Sequence, residues 1–183
     1  MNKQLDEQLC RDFPEIFRDR HGSMATTAMC WGVDVGDGWE PMIRLLCSQI
    51  MQPVRRARDR VEDHERMCAE TPQLQWSDWM RRELTQEKLD EKRQELARAL
   101  EQIPLAVQVK EKFGGLRFYT SGCDDRVWDL IGWVESLSYH VCEECSTMRT
   151  ARPRNHGWTV TLCDACAITR YGEDKTNDLG QGE

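Results

Sequence analysis

Two cysteine pairs near the C-terminus decide the fold: Cys142-Glu143-Glu144-Cys145, then residues 146–162, then Cys163-Asp164-Ala165-Cys166. Two CxxC turns at this separation have the spacing of a four-thiolate metal site. Each turn puts two sulfurs on one side of a tight loop, and two turns facing each other make a tetrahedral cage. Zinc suits four thiolates and has no redox chemistry of its own. The sequence therefore predicts one structural Zn2+ held by Cys142, Cys145, Cys163 and Cys166. The same set argues against chemistry at the metal, because a catalytic zinc keeps one position open for water. His140 and His156 read as surface or packing residues. A zinc-deaminase pattern needs H-x-E and a proline before its second CxxC; here Leu162 precedes Cys163 and no H-x-E is present.

A module of about 30 residues buries little apolar surface, so metal binding supplies much of its folding free energy. Trp158, Val160 and Leu162 are expected to form the strand entering the second pair. The run Ala167–Tyr171 is expected to begin a short helix, which makes the module treble-clef-like instead of a plain ribbon.

Upstream, residues 104–122 carry β chemistry. Val107 and Val109 alternate with Gln108 and Lys110, and Gly114-Gly115 separates them from Leu116, Phe118 and Tyr119. Glycine supplies the positive φ of a tight hairpin turn, so two strands around Gly-Gly are predicted. Asp124 or Asp125 then caps a helix over 125–140, with Val127, Leu130, Ile131, Val134 and Leu137 as its buried face. Further back, Trp39, Met42, Ile43, Leu46, Cys47 and Ile50 recur at helical spacing and predict a core helix over 39–52. Residues 1–20 read as a short helix turned at Pro14. Residues 21–38 read as a loop with a short strand at Met29–Val35.

Residues 54–103 hold 11 Lys/Arg and 12 Asp/Glu and no glycine. They predict an exposed helical hairpin, 54–70 and 76–101, broken at Pro72. Leu89, Leu96, Leu100 and Ile103 give the second helix a narrow seam. This arm is either a solvated pair packing on itself or a surface for a protein partner or self-association. The expected organisation is a domain over 1–140 carrying the insertion 54–103, a zinc module over 141–171, and a flexible tail over 172–183. The fold class is α+β: mainly helical, with one small antiparallel hairpin or sheet and a C-terminal four-cysteine zinc-ribbon or treble-clef-like module.

The whole chain has 25 Lys/Arg against 32 Asp/Glu, a formal charge of −7. That balance speaks against sequence-blind nucleic-acid coating, which needs excess cationic charge. No apolar run approaches the roughly 20 residues of a membrane span. The first residues, MNKQLDEQLCRDFPEIF, place acids where a signal peptide has its apolar stretch. A cytoplasmic setting is expected, with thiols reduced, and Cys10, Cys30, Cys47, Cys68 and Cys123 as scattered thiols outside the metal site.

Net charge hides two cationic spots. The hairpin has Lys110, Lys112 and Arg117 against only Glu111, with two glycines and the rings of Phe113, Phe118 and Tyr119. Cations meet phosphate, glycines admit close approach, and aromatic faces stack on bases. Lys110, Lys112, Gly114, Gly115, Arg117, Tyr119 and, from the helix 39–52, Trp39 therefore form a candidate site for an anionic, nucleotide-type ligand. The loop 146–162 has Arg149, Arg152 and Arg154 and no acid, a candidate nucleic-acid contact. No Ser-His-Asp set, H-E-x-x-H helix, nucleophile elbow or P-loop is present, and no enzymatic activity is expected.

Taken together, GDGW (36–39), VKEKFGGLRFY (109–119) and CEEC…GWTVTLCDAC (142–166) resemble a set of short proteins found in phages, prophages and bacteria. The resemblance covers both ends of the chain and leaves 54–103 unmatched, as a variable insertion would be. It implies a phage or mobile-element setting, and so the host cytoplasm, but no established reaction. Phages carry small non-enzymatic proteins that block host defence, some by sequestering nucleotide signals. Three functions follow as expectations: a zinc-stabilised binder of an anionic ligand, a nucleic-acid-binding zinc protein, or an adaptor acting through 54–103.

Overall fold

The computed structural model describes residues 1–25 and 27–172, so the tail expected from 172 lies outside the described residues beyond its first position. The chain divides into two compact units, one formed by Met1–Gln49 with the segment from Pro104 onward, the other by Ile50–Ile103. The class is α+β, with helices predominating and two separate two-stranded antiparallel sheets.

In the first unit α1 (Lys3–Asp12) opens on Asn2, whose side chain accepts the Leu5 N–H at 3.0 Å, and stops before Pro14. Residues Ala28–Trp31 form a 3-10 turn where a strand was expected; only Asp34 pairs, in a single parallel bridge to Lys110. The turn wins because the Thr27 side chain caps it, accepting from Met29 N at 3.0 Å, and Gly32 ends it at φ 87°. Helix α2 (Glu40–Ile50) buries Met42, Ile43, Leu46 and Cys47. Strands β1 (Leu105–Lys112) and β2 (Gly115–Ser121) pair in register Lys112↔Gly115, so the turn residues are Phe113 and Gly114. Both have positive φ, 55° and 78°, the backbone of a type I′ turn. The expected Gly-Gly turn is thus shifted by one residue, and Gly115 belongs to the strand.

A bulge between Ala106 and Gln108 alters the alternation in β1, so Ala106 and Val109 are the buried pair and Val107 is only partly covered. Phe118 meets Phe17 edge-on at 6.3 Å. Helix α6 (Asp125–Ser138), capped by Asp124, covers the free edge of β2: Ser138 Oγ accepts from Leu116 N and Glu135 Oε1 from Phe118 N, each at 2.9 Å. An edge strand closed in this way is not open to pairing with another chain.

The second unit is an antiparallel pair, α3 (Gln52–Glu70) against α5 (Gln86–Glu101). The helix expected over 76–101 is two helices, because Leu84 ends α4 (Asp78–Glu83) and the Thr85 hydroxyl restarts the chain as the cap of α5. Arg60–Glu95 (2.6 Å) and Arg93–Glu65 (2.7 Å) tie the pair at its surface. Inside, His64 is 1% exposed, and its Nδ1 sits 3.2 Å from the Lys92 ammonium. Nδ1 accepts from that ammonium only while the ring is neutral. Burial pushes the His64 pKa below its ordinary 6.5; Lys92 and Arg93 reinforce this and Glu65 opposes it. The unfolded chain takes the proton near 6.5 and the folded chain only at lower pH. Stability from this group is therefore complete above about 6.5 and declines on acidification below it. Hydrogen exchange at about pH 7.5 and 5.5 is expected to show easier opening of α3 at the lower value. A His64→Gln variant should remove that difference; an unchanged difference would exclude His64 as its source.

Candidate metal centre

The C-terminal segment contains a knuckle (residues 142–146), a hairpin of β3 (Arg152–Asn155) and β4 (Thr159–Leu162), and α7 (Asp164–Tyr171). This is the treble-clef-like arrangement expected. In the knuckle, Ser146 N donates to Cys142 O at 3.0 Å, and Ser146 takes φ 64° so that the chain can reverse. Cys163 caps α7, its sulfur accepting the Cys166 N–H at 3.4 Å. The core between these pieces is small: Val160, Leu162 and Ala167 with the cysteines, flanked by Ala151 and Tyr171.

The four sulfurs lie within 4.8 Å of one another, and Cys145 and Cys163 are 3.7 Å apart. Sulfurs about 2.3 Å from a central zinc define a tetrahedron with edges of about 3.8 Å. The cluster fits a structural zinc site, and four thiolates leave no open position at the metal. Without a cation, burial pushes the Cys142 and Cys166 thiols up. For Cys163 burial acts in the same direction, but it is outweighed by the Cys166 N–H and the neighbouring thiols, which bring it down. Metal binding therefore displaces protons, and acid favours release.

The motif GDGW lies directly on the knuckle. Gly38 N donates to Glu143 O at 2.7 Å, Gly36 N to Glu143 Oε1 at 2.9 Å, and the Trp39 indole to Val141 O at 2.8 Å. A Cβ on Gly38 would stand 2.4 Å from Cys142 O, and one on Gly36 2.3 Å from Glu143 O. Asp37 turns the other way and accepts from Asn2 N and Asn2 Nδ2 at 2.6 and 2.7 Å, which holds its carboxyl below the usual range.

The hairpin turn meets the module from another side. Thr161 Oγ1 donates to Gly114 O at 2.6 Å, and Glu111 accepts from Gly114 N and from the Trp158 indole at 2.6 and 2.9 Å. On Gly115 an added Cβ would fall 2.4 Å from Tyr139 Cζ. These contacts correct the expected ligand set. Trp39 is fully buried, and Gly114 and Gly115 are used for close packing inside the protein, so none of the three is open to a ligand. Lys110, Lys112, Arg117 and Tyr119 do come together on one face of the hairpin, opposite the buried Val109, Leu116 and Phe118. Lys110 lies 5.8 Å from the Tyr119 ring, whereas Arg117 donates to Tyr139 OH at 2.9 Å and pairs with Glu135 at 3.8 Å, so it is held within the protein.

The arginines of the zinc loop are corrected as a set too. Arg154 is fully buried, with Nε on Leu162 O at 2.9 Å and its guanidinium on Asp164. Arg152 reaches the same carboxylate at 2.9 Å, leaving only Arg149 of the three exposed without such a pairing. Hydrogen bonding from Arg154 holds Asp164 below its ordinary range. Asp164 lies just outside the loop counted as acid-free, and folding brings it back onto the cations. The sequence reading also missed Glu143, a buried acid between Cys142 and Cys145 that organises GDGW; nothing in the CEEC string sets it apart from the exposed Glu144.

Among the described residues, no helix is long and apolar enough to cross a membrane. Comparison of the chain with models of known families, with curated proteins and with solved structures gives no match.

Proposed function

We propose that the protein is a non-enzymatic binding protein, braced by a structural zinc ion, that holds an anionic, nucleotide-type ligand on the part of the β1–β2 hairpin formed by Lys110, Lys112 and Tyr119. The observation that carries this reading is the pair Lys110 and Lys112 beside Tyr119 in a chain of net charge −7, with Arg117 next to them already paired to Glu135 and Tyr139. Phosphate pairs with such cations, and an aromatic face accepts a base. Phe113 adds to the site. It is 65% exposed, and it occupies a positive-φ position that bulky residues avoid. Within the chain its ring is met by the Lys112 ammonium at 5.4 Å, which places a cation and an exposed aromatic face side by side for a ligand. Zinc at Cys142, Cys145, Cys163 and Cys166 fixes the module on which the turn rests. The resemblance to phage and prophage proteins supports a finer reading, in which the bound ligand is a nucleotide signal of host defence withheld from its receptor in the host cytoplasm.

Thermal-shift titration against linear and cyclic nucleotides tests the site. A ligand at about 100 times its Kd should stabilise by about 2.7 kcal/mol. A Lys110→Glu, Lys112→Glu double variant should lose that stabilisation while keeping its own fold. If no nucleotide shifts the wild-type protein at millimolar concentration, the reading fails.

A further inference from the structure

Helix α6 has a second face that the fold does not use. Val127, Ile131, Val134 and Ser138 are buried, while Trp128 and Trp133 are 67% and 63% exposed. At about 100° per residue, Asp125, Asp129, Gly132 and Ser136 form one outward strip, and the two tryptophans lie on either side of it. Gly132 interrupts the middle of the helix, and a Cβ built there meets nothing within 4 Å. No positive φ requires glycine at this position. Glycine in a helix interior is unfavourable relative to alanine, so nothing inside this chain explains it. A glycine between two exposed tryptophans is what a second backbone needs to approach α6 closely.

The charge of the strip selects the occupant. Asp125 and Asp129 have no ion-pair or hydrogen-bond partner among the described residues, and Asp124 adds a third carboxylate at the cap. Asp125 in the first turn suits the helix dipole, but Asp129 lies beyond that turn. Arg126, on the same helix, is turned onto Gln49 O at 2.5 Å. Tryptophan faces and carboxylates together receive Lys and Arg side chains, through cation–π contact and charge pairing, and tryptophan is enriched among residues that dominate binding.

We infer that the outer face of α6 docks a basic amphipathic helix of a partner protein, seated over Gly132 between Trp128 and Trp133. This surface is separate from the cationic hairpin face and does not depend on the ligand proposed there.

The test uses the full zinc-loaded protein and a fluorescently labelled amphipathic helix built from leucine, lysine and arginine, with a glutamate-bearing counterpart, at physiological salt. Anisotropy should show saturable binding of the basic helix only. Gly132→Leu has open space and a better helix former, so it should melt no lower than wild type yet weaken binding by about thirtyfold. Trp128→Ala and Trp133→Ala should weaken it comparably, and Lys110→Glu should leave it intact. Binding that is absent in the wild type, or unchanged in Gly132→Leu and both tryptophan variants, overturns the inference. Self-association of the wild type that Gly132→Leu abolishes would also overturn it, by making a second copy the occupant.

Discussion

Cys163→Ser is expected to abolish stoichiometric metal binding and to lower the melting temperature by roughly 10 °C or more, equivalent to about 3 kcal/mol or above in a protein of this size. Cys163 has two tasks: its sulfur belongs to the cluster, and it caps α7. The module around it has few apolar residues of its own, and in isolated finger peptides structural zinc contributes roughly 10–16 kcal/mol of apparent binding free energy at neutral pH. The effect should reach beyond the module. Glu143 holds the loop at 36–38, Val141 O holds Trp39, and Thr161 holds the β1–β2 turn, so a melted knuckle removes support from each. Acid should mimic the substitution, since the ligands must be thiolates and burial already favours the protonated thiols of Cys142 and Cys166. Elemental analysis with near-ultraviolet circular dichroism reads both losses together. A purified wild-type protein that is metal-free with intact tertiary structure would sink the scaffold.

The second large effect is expected from Gly38→Ala. A single added methyl group would stand 2.4 Å from Cys142 O and 2.7 Å from the amide nitrogens of Cys145 and Ser146. All three are backbone atoms of the metal-binding turn, so none can swing aside as a side-chain tip would. Ordinary overpacking costs about 1–3 kcal/mol; here the cost should reach the top of that range or exceed it, and metal affinity should fall with it because relief requires opening the knuckle. Denaturant unfolding and competition with a chromogenic chelator would measure the two losses. Gly132→Ala, with open space around the new carbon, is the matched control and should not destabilise. Equal stability of Gly38→Ala and wild type would show that the loop 36–38 does not seat on the knuckle as described.

The Gly38 prediction and the wider reach of the Cys163 one turn on contacts between segments about a hundred residues apart, and that is where sequence reading stopped. The CxxC spacing exposed the four ligands, because the geometry of a knuckle is local and its residue types are few. Helical periodicity exposed α2 and α6 for the same reason. The turn was displaced from Gly114-Gly115 to Phe113-Gly114 because strand register, not glycine preference, chose it. Thr85 split one expected helix into two because a hydroxyl cap competed with a continuous apolar period. The glycines offered to a ligand proved to be points of contact with Thr159 and Tyr139. Nothing in the string distinguishes a glycine that admits a ligand from one that admits a neighbouring strand.

The residues by themselves determined the class and the four-cysteine cluster, since these depend on spacing along the chain. Only the tertiary structure decided which charges remain available. It buries Arg154, commits Arg152 to Asp164 and Arg117 to Tyr139 and Glu135, and it leaves Lys110 and Lys112 on one face of β1 and two tryptophans outward on α6. The physical reason is that a charge or a ring has no fixed role until packing settles whether a partner, the core or water lies in front of it.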